Sequence, residues 1–226
     1  MMSPNPAVKE AANAAFEKID PLVHKEIITV YYDVDVEKKD RAVTSLQLLG
    51  GKAKAAVPII KGYHQFLLRA DRRTPRHTIE ALVKIAPEDE GVQRAVLDLV
   101  GGADAALPYS YSRNNRRAVI AMMHDLKIED KQKLAPLVSG IAASRVAEDQ
   151  KTMVTELGKL RVENKEKYPA LMTAFSKATT VRAHIIDEIA KLGADAKAAL
   201  PILMSLKTDR EEAVRVAANA AIEAIK

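Results

Sequence analysis

Apolar residues recur along the chain with the period of an α-helix, and the alternation typical of β-strands is missing. One such stripe near the end of the chain is formed by Ala213, Val214, Ala217, Ala218, Ala221, Ile222 and Ile225. A second stripe is formed by Ile79, Leu82, Val83 and Ala86. Stripes of this spacing let a helix bury one face against its neighbours. The pattern therefore predicts an all-α protein built from amphipathic helices.

The helical pattern is repeated. Residues 7–19 match residues 213–225 at an offset of 206, and residues 49–60 match residues 192–203 at an offset of 143. The last apolar residue of each matching helix serves as an anchor, and the anchors are Ile19, Leu49, Ile85, Leu126, Leu160, Leu192 and Ile225. Successive anchors are 30, 36, 41, 34, 32 and 33 residues apart. These spacings are typical of a repeat made of two helices.

Turn residues recur at fixed places in this repeat. We call the helix that ends at each anchor helix B and the helix that follows it helix A. Gly50 and Gly193 directly follow two anchors, where a left-handed glycine can end helix B and turn the chain. A proline then recurs nine or ten residues past four of the anchors, at Pro58, Pro136, Pro169 and Pro201. Proline in an early helical turn bends the helix, so we expect a bent helix A in these units.

These residues carry a family resemblance. Residues 192–203, followed by Asp209, Val214, Arg215 and residues 217–225, resemble the short bacterial HEAT repeat, also described in phycobilisome lyase-type proteins. The resemblance is strong over residues 179–226, good over 38–60 and 1–20, and diffuse over 61–178. It implies a right-handed α-α superhelix, an armadillo-like α-solenoid of about six to seven antiparallel helix pairs.

The resemblance also implies how such a protein works. Helix A would line the convex side and helix B the concave side of a single domain over residues 1–226, whose usual work is protein binding. Both ends are Ala-rich and lack the polar outer face of a capping repeat. We therefore expect the array to continue beyond one or both ends, or the ends to self-associate.

Composition narrows the class of protein. Aromatic residues make up only 4% of the chain, so the interior must consist of Ala, Leu, Ile and Val, which suit closely packed helices. The absence of cysteine excludes disulfides, thiolate metal sites and cysteine nucleophiles. The chain contains neither a stretch that predicts a membrane span nor a signal-peptide pattern, so we expect it to be soluble, in a compartment left open.

Positive charge is concentrated in the middle of the chain. Residues 61–84 hold six Lys or Arg against two acidic residues, and Arg76, Arg117 and Lys151 each precede an anchor by nine residues. Stacked repeats would place these three in one row. The candidate partner-binding residues are Arg69, Arg72, Arg73, Arg76, Tyr109, Tyr111, Arg113, Arg116, Arg117 and Lys151. They could bind an acidic protein, nucleic acid or anionic lipid, or they could pair with Asp71, Asp104 or Glu80 as a solvated ridge.

The two tyrosines of this set lie in the longest spacing between anchors. Residues 101–113 contain a Gly pair and a proline, which predict an extended loop between helices. Tyr109 and Tyr111 could anchor an interface, because Tyr and Arg are enriched in binding surfaces. They could equally cover a loosely packed joint.

Other residues give no indication of catalysis. Five scattered histidines show no metal-ligand spacing, and no Gly-rich phosphate loop is present, so we expect no enzyme activity, no cofactor and no metal. Arg182 and Arg215 should bond acidic residues of a neighbouring repeat. The sequence predicts a non-enzymatic protein-binding scaffold, part of a larger or membrane-coat-like assembly. The alternative is a nucleic-acid-binding solenoid that uses the central basic ridge.

Overall fold

The structure of the chain is a computed structural model that describes residues 19–71, 76–102 and 113–226. For residues 68–71 and 113–116 it describes the backbone alone. Every regular element in these ranges is helical, which confirms the all-α prediction. Two compact units are formed, Met1–Gln93 and Arg94–Lys226. The helix predicted to end at Ile19 lies outside the described residues except for its last residue. The single domain over residues 1–226 stays a prediction.

The first unit contains four complete described helices: α1 (Pro21–Tyr32), α2 (Val36–Leu49), α3 (Val57–Asp71) and α4 (Arg76–Ile85). Asp20 caps α1 by accepting a hydrogen bond from the Leu22 amide at 2.9 Å, and Asp35 caps α2 in the same way through the Glu37 amide. Such caps satisfy amides that have no partner within the helix. Helix α1 therefore starts one residue after its cap.

The helices from the unit boundary onward are α5 (Glu90–Gly101), α6 (Arg113–Met122), α7 (Asp130–Ala143), α8 (Ala147–Lys159), α9 (Asn164–Lys177), α10 (Arg182–Ala190), α11 (Leu200–Ser205) and α12 (Glu212–Ile225). Helices α2, α4 and α12 end at the anchors Leu49, Ile85 and Ile225, as predicted. Helices α6 and α10 end before their anchors, Leu126 and Leu192. Just after each helix, backbone amides bond a carbonyl three residues earlier instead of four, which tightens the last turn into a 3-10 turn. Within the described ranges, none of the helices combines the length and apolar content that crossing a membrane requires.

The matched segments at offset 143 adopt the same local structure. Each forms a short 3-10 helix, Gly50–Ala56 and Gly193–Ala199, that starts at a glycine with positive φ, 53° and 55°. Pro58 and Pro201 follow at the second position of α3 and α11, where proline costs no helical hydrogen bond. Pro136 and Pro169 instead lie inside α7 and α9. The four prolines in register thus occupy two different structural positions.

Helices of like position pack together within each unit. In the first unit α1 packs on α3 and α2 on α4, while α1–α2 and α3–α4 form hairpin pairs. In the second unit α7 packs on α9, and α6, α8, α10 and α12 follow one another in contact. The core lies between the two layers of each unit. Its largest fully buried side chains include Leu46, Ile60, Ile79 and Leu82 in the first unit, and Leu137, Ile141, Met153, Leu157 and Leu171 in the second.

Both predicted apolar stripes face this core, with one exception. All four residues of the stripe in α4 and the following turn are buried, and so are six residues of the stripe in α12. Ala213 is exposed and was assigned to the stripe wrongly. It lies in the first turn of α12, on a side of the helix that faces solvent.

A buried glutamine joins successive repeats in the second unit. Gln150 donates hydrogen bonds to the carbonyls of Ile141 (3.0 Å) and Ser144 (2.8 Å), and accepts one from the Thr180 hydroxyl (2.6 Å). Its side chain is 5% exposed, so water cannot replace these partners. The contact connects the turn before α8 with the turn before α10.

We expect Gln150→Leu to lower the free energy of unfolding by about 1–3 kcal/mol, because buried polar groups lose their partners. Urea denaturation followed by circular dichroism measures this change. Thr180→Val, which removes one of the three bonds, should give the smaller loss. Equal stability of Gln150→Leu and the parent would contradict the structural role of this glutamine.

Candidate functional site

The three predicted row residues whose side chains are described all lie in ion pairs. Arg76 Nε lies 2.5 Å from Glu80 Oε1 one turn along α4, and Lys151 Nζ lies 3.0 Å from Glu148 Oε1 on α8. Arg117 Nε on α6 lies 3.5 Å from Asp149 Oδ1 on α8. The hydrogen bond and charge of Lys151, with a contribution from Arg117, hold the pKa of Glu148 below its usual value. Carboxylates therefore already neutralise much of this row.

Arg117 and Lys151 belong to one charged surface, because α6 packs against α8 and both cations act on the carboxylates at its first turn. Asp149 is only 3% exposed, so its charge depends on Arg117 for compensation. Arg76 lies in the other unit. Of the open interpretations, the ion pair of Arg76 with Glu80 is confirmed, while binding of a partner by the row stays a prediction.

The other candidate residues cannot be placed in the same detail. Arg72, Arg73, Tyr109 and Tyr111 lie outside the described residues. The backbones of three more belong to helices whose side chains are not described at these positions: Arg69, Arg113 and Arg116.

The two arginines expected to join repeats behave differently. Arg182 on α10 lies 3.2 Å from Asp209, which precedes α12, so the predicted contact with an acidic residue of the next repeat is confirmed. Arg215 instead donates to the backbone carbonyls of Asp209 (2.8 Å) and Arg210 (3.1 Å) in its own repeat. The prediction of an acidic partner for Arg215 was therefore wrong, because the last turn before α12 brings carbonyls within its reach.

Sequence reasoning missed an apolar surface on the first unit. Six of the ten exposed large hydrophobic residues of the described ranges fall between positions 22 and 36: Leu22, Ile28, Tyr31, Tyr32, Val34 and Val36. We call these six the α1 surface. Tyr31 and Tyr32 are 61% and 70% exposed, and their rings meet edge to face at 4.7 Å.

The α1 surface has a visible cause in the sequence of its helix. The buried side of α1 is formed by Val23, Ile27 and Val30, yet the opposite side also carries large apolar residues, with Lys25 as its exposed charge. A helix that is apolar on both sides normally lies inside a protein or an interface. The run of apolar residues around Tyr31 could have indicated this surface before the structure.

A polar cluster in the first unit was also missed. It brings together five side chains from α2, α3 and α4: Asp40, Tyr63, His64, His77 and Thr78. Asp40 Oδ1 accepts a hydrogen bond from Tyr63 at 2.6 Å and lies 2.9 Å from His77 Nε2. Burial, followed by the bond to Asp40, raises the pKa of Tyr63. No sequence signal joins these residues, because they meet only when three helices pack.

Two further features of the described residues concern metal binding and grooves. Among the described residues, no group of three His, Cys, Asp or Glu side chains could hold a metal ion. An open groove lies between the segments leading into α7 and α9, and its lining includes Asp130, Lys131, Arg161 and Glu166. Lys131 Nζ forms an ion pair with Glu166 at 2.5 Å, and the backbone amide of Arg161 donates a hydrogen bond to Asp130 at 2.8 Å. The polar groups of the groove therefore already join the two segments.

Comparison of the chain with models of known protein families, with curated proteins and with solved structures finds no match.

Proposed function

We propose that this protein is a non-enzymatic protein-binding scaffold, built as an α-α superhelix of HEAT-like repeats. The α1 surface carries the proposal. Exposed apolar patches with aromatic residues mark protein interaction sites, because contact with a partner removes them from water. Two adjacent tyrosines with more than half of their surface exposed are suited to anchor such a contact.

The packing supports the superhelical part of the proposal. Alternate helices pack on one another: α1 on α3 and α2 on α4 in the first unit, and α7 on α9 and α8 on α10 in the second. Two-layer stacking of helix pairs is the arrangement of helical repeat proteins. The matching segments Gly50–Ala56 and Gly193–Ala199, each of which begins at a glycine with positive φ, also support a repeated unit.

The ion pairs favour a protein partner over nucleic acid. Phosphate binding needs cations that can exchange small counterions for the nucleic-acid backbone. Arg76, Arg117 and Lys151 are each engaged by a carboxylate of the same unit, and that carboxylate would repel a phosphate.

The decisive experiment compares two double variants of the whole chain. Tyr31→Ser with Tyr32→Ser removes the aromatic anchors of the α1 surface, and Arg76→Glu with Lys151→Glu reverses two half-exposed charges of the row. A protein that binds the parent stoichiometrically should bind the tyrosine variant about 30-fold more weakly or worse in calorimetry, since anchor residues contribute about 2 kcal/mol or more. The charge variant should bind it normally.

A nucleic-acid arm completes the test. Fluorescence anisotropy with duplex DNA, single-stranded DNA and RNA at about 50 mM salt should detect no binding. Binding that the charge variant loses, and that weakens steeply by about 200 mM salt, would transfer the proposal to nucleic acid.

A further inference from the structure

The packing of α3 against α4 encloses a histidine. His64 on α3 is 6% exposed, and its Nδ1 lies 2.6 Å from the hydroxyl of Thr78 on α4, which is fully buried. A neutral imidazole can share one hydrogen bond with a hydroxyl in such a site. A protonated imidazole carries a full charge, and a ring that is 6% exposed keeps little of the hydration that such a charge has in water.

A second histidine lies beside the first. His77 precedes Thr78 on α4, and its Nε2 is 2.9 Å from Asp40 Oδ1 on α2. The same carboxylate oxygen accepts the Tyr63 hydroxyl of α3, so this one carboxylate contacts side chains of both helices that enclose His64. The side chains of His77 and Asp40 are 34% and 41% exposed, which leaves the outer part of the cluster in contact with water.

We propose that His64 makes the α3–α4 hairpin an acid-operated latch, closed at neutral pH and opened when this buried imidazole takes up a proton. Opening moves His64 from the apolar interior into water, where the imidazolium is well solvated. The inference concerns regulation of the first unit and does not depend on which partner the protein binds.

The elements packed around His64 carry several other titratable or charged groups. Those whose side chains are described are His24, Lys25, Glu26, Tyr31 and Tyr32 on α1, Glu37, Lys38, Lys39, Asp40 and Arg41 on α2, Lys52 and Lys54 on the segment Gly50–Ala56, Lys61 and Tyr63 on α3, and Arg76, His77, Glu80 and Lys84 on α4. His77 is the neighbour whose charge acts on His64. Asp40 directs its shared oxygen toward Tyr63 and His77, and Lys39 lies over the Tyr63 ring at 5.5 Å.

The direction and size of the effect follow from proton linkage. Burial first, and then the charge of His77, lower the pKa of His64 from 6.5 to about 4. Well above pH 6.5 His64 is protonated in neither the closed nor the open state, and the latch has its full stability. As pH falls from 6.5 toward 4, only the open state binds the proton, so the opening equilibrium rises tenfold per pH unit. The total gain is about 300-fold.

Hydrogen exchange read by mass spectrometry tests the latch on the complete chain. After correction for intrinsic exchange rates, opening of the α3 and α4 peptides should increase about 15-fold between pH 6.5 and pH 5. His64→Gln takes up no proton, so it should remove this increase. His184→Gln is the matched control, since His184 Nε2 also meets a threonine hydroxyl, Thr155, at 2.8 Å, but in the second unit. It should leave the pH dependence of α3 and α4 unchanged.

Two results would overturn the latch. One is the same pH dependence of α3 and α4 in His64→Gln as in the parent. The other is an NMR titration of the parent in which the His64 imidazole of the closed protein takes up its proton near pH 6.5 instead of about pH 4. This measurement needs no variant, so it tests the latch even if His64→Gln does not fold.

Discussion

Leu46→Ala is expected to lower the free energy of unfolding of the first unit by about 2–5 kcal/mol, the largest loss that a single truncation should cause here. Leu46 lies in α2, which packs against α4, and it is 0% exposed. Truncation to alanine loses the favourable free energy of burying most of the leucine side chain, and it leaves a cavity. Urea denaturation followed by circular dichroism measures the loss.

The same helix provides the control for this truncation. Leu48, two residues further along α2, is 85% exposed, so Leu48→Ala should change the free energy of unfolding by no more than about 0.5 kcal/mol. Both substitutions remove the same atoms and place alanine in the same helix. Similar losses for the two variants would mean that α2 does not present Leu46 to the core as the structure has it.

Gly140→Ala should cost about 2–3 kcal/mol, the upper part of the range for overpacked cores. A Cβ atom on Gly140 of α7 would lie 2.2 Å from the Val100 carbonyl of α5 and 2.6 Å from the sulfur of Met153. The methionine can move, but the carbonyl belongs to the backbone of a packed helix. The substitution therefore forces α5 and α7 apart, which thermal and urea unfolding of the variant would detect.

Gly62→Ala is the control for the glycine substitution. Gly62 lies on an exposed side of α3, and nothing stands within 4 Å of the position its Cβ would take. Alanine should stabilise this helix by roughly 0.5–1 kcal/mol, because glycine loses more backbone entropy on folding. The two substitutions are chemically identical and should have opposite signs. A stabilising Gly140→Ala would contradict the close approach of α5 and α7.

Local features of the fold could be predicted well because they depend on neighbouring residues. Short-range hydrogen bonding determines where α2, α4 and α12 end, which is at their anchors. Backbone sterics explain why glycines occupy the positions of positive φ at Gly50 and Gly193. The different positions of Pro58 and Pro136 could not be predicted from their register. Helix starts depend on the preceding turn, which is a 3-10 segment before one proline and a capping box before the other.

The charged residues were harder to interpret from sequence. Register correctly aligned Arg117 with Lys151, because stacked repeats repeat their exposed positions. It did not indicate that Asp149 would be buried under Arg117, since burial depends on how closely α6 approaches α8. The α1 surface could have been recognised from a helix that carries large apolar residues on two opposite sides. The cluster around His64 could not, as its members are separated by up to 38 positions and meet through three helices.

The sequence by itself determined that this protein is all-α, that Gly50 and Gly193 take a positive φ after their anchors, and which side of α4 and α12 faces inward. Those properties come from hydrophobic periodicity and local backbone preferences, which act within a few residues. Only the tertiary structure decided which charges are neutralised, which apolar residues of α1 remain exposed, and that His64 is buried with a hydrogen bond to Thr78. Each of these depends on distances between helices far apart in the chain, where packing sets both the dielectric surroundings and the partner of every polar group.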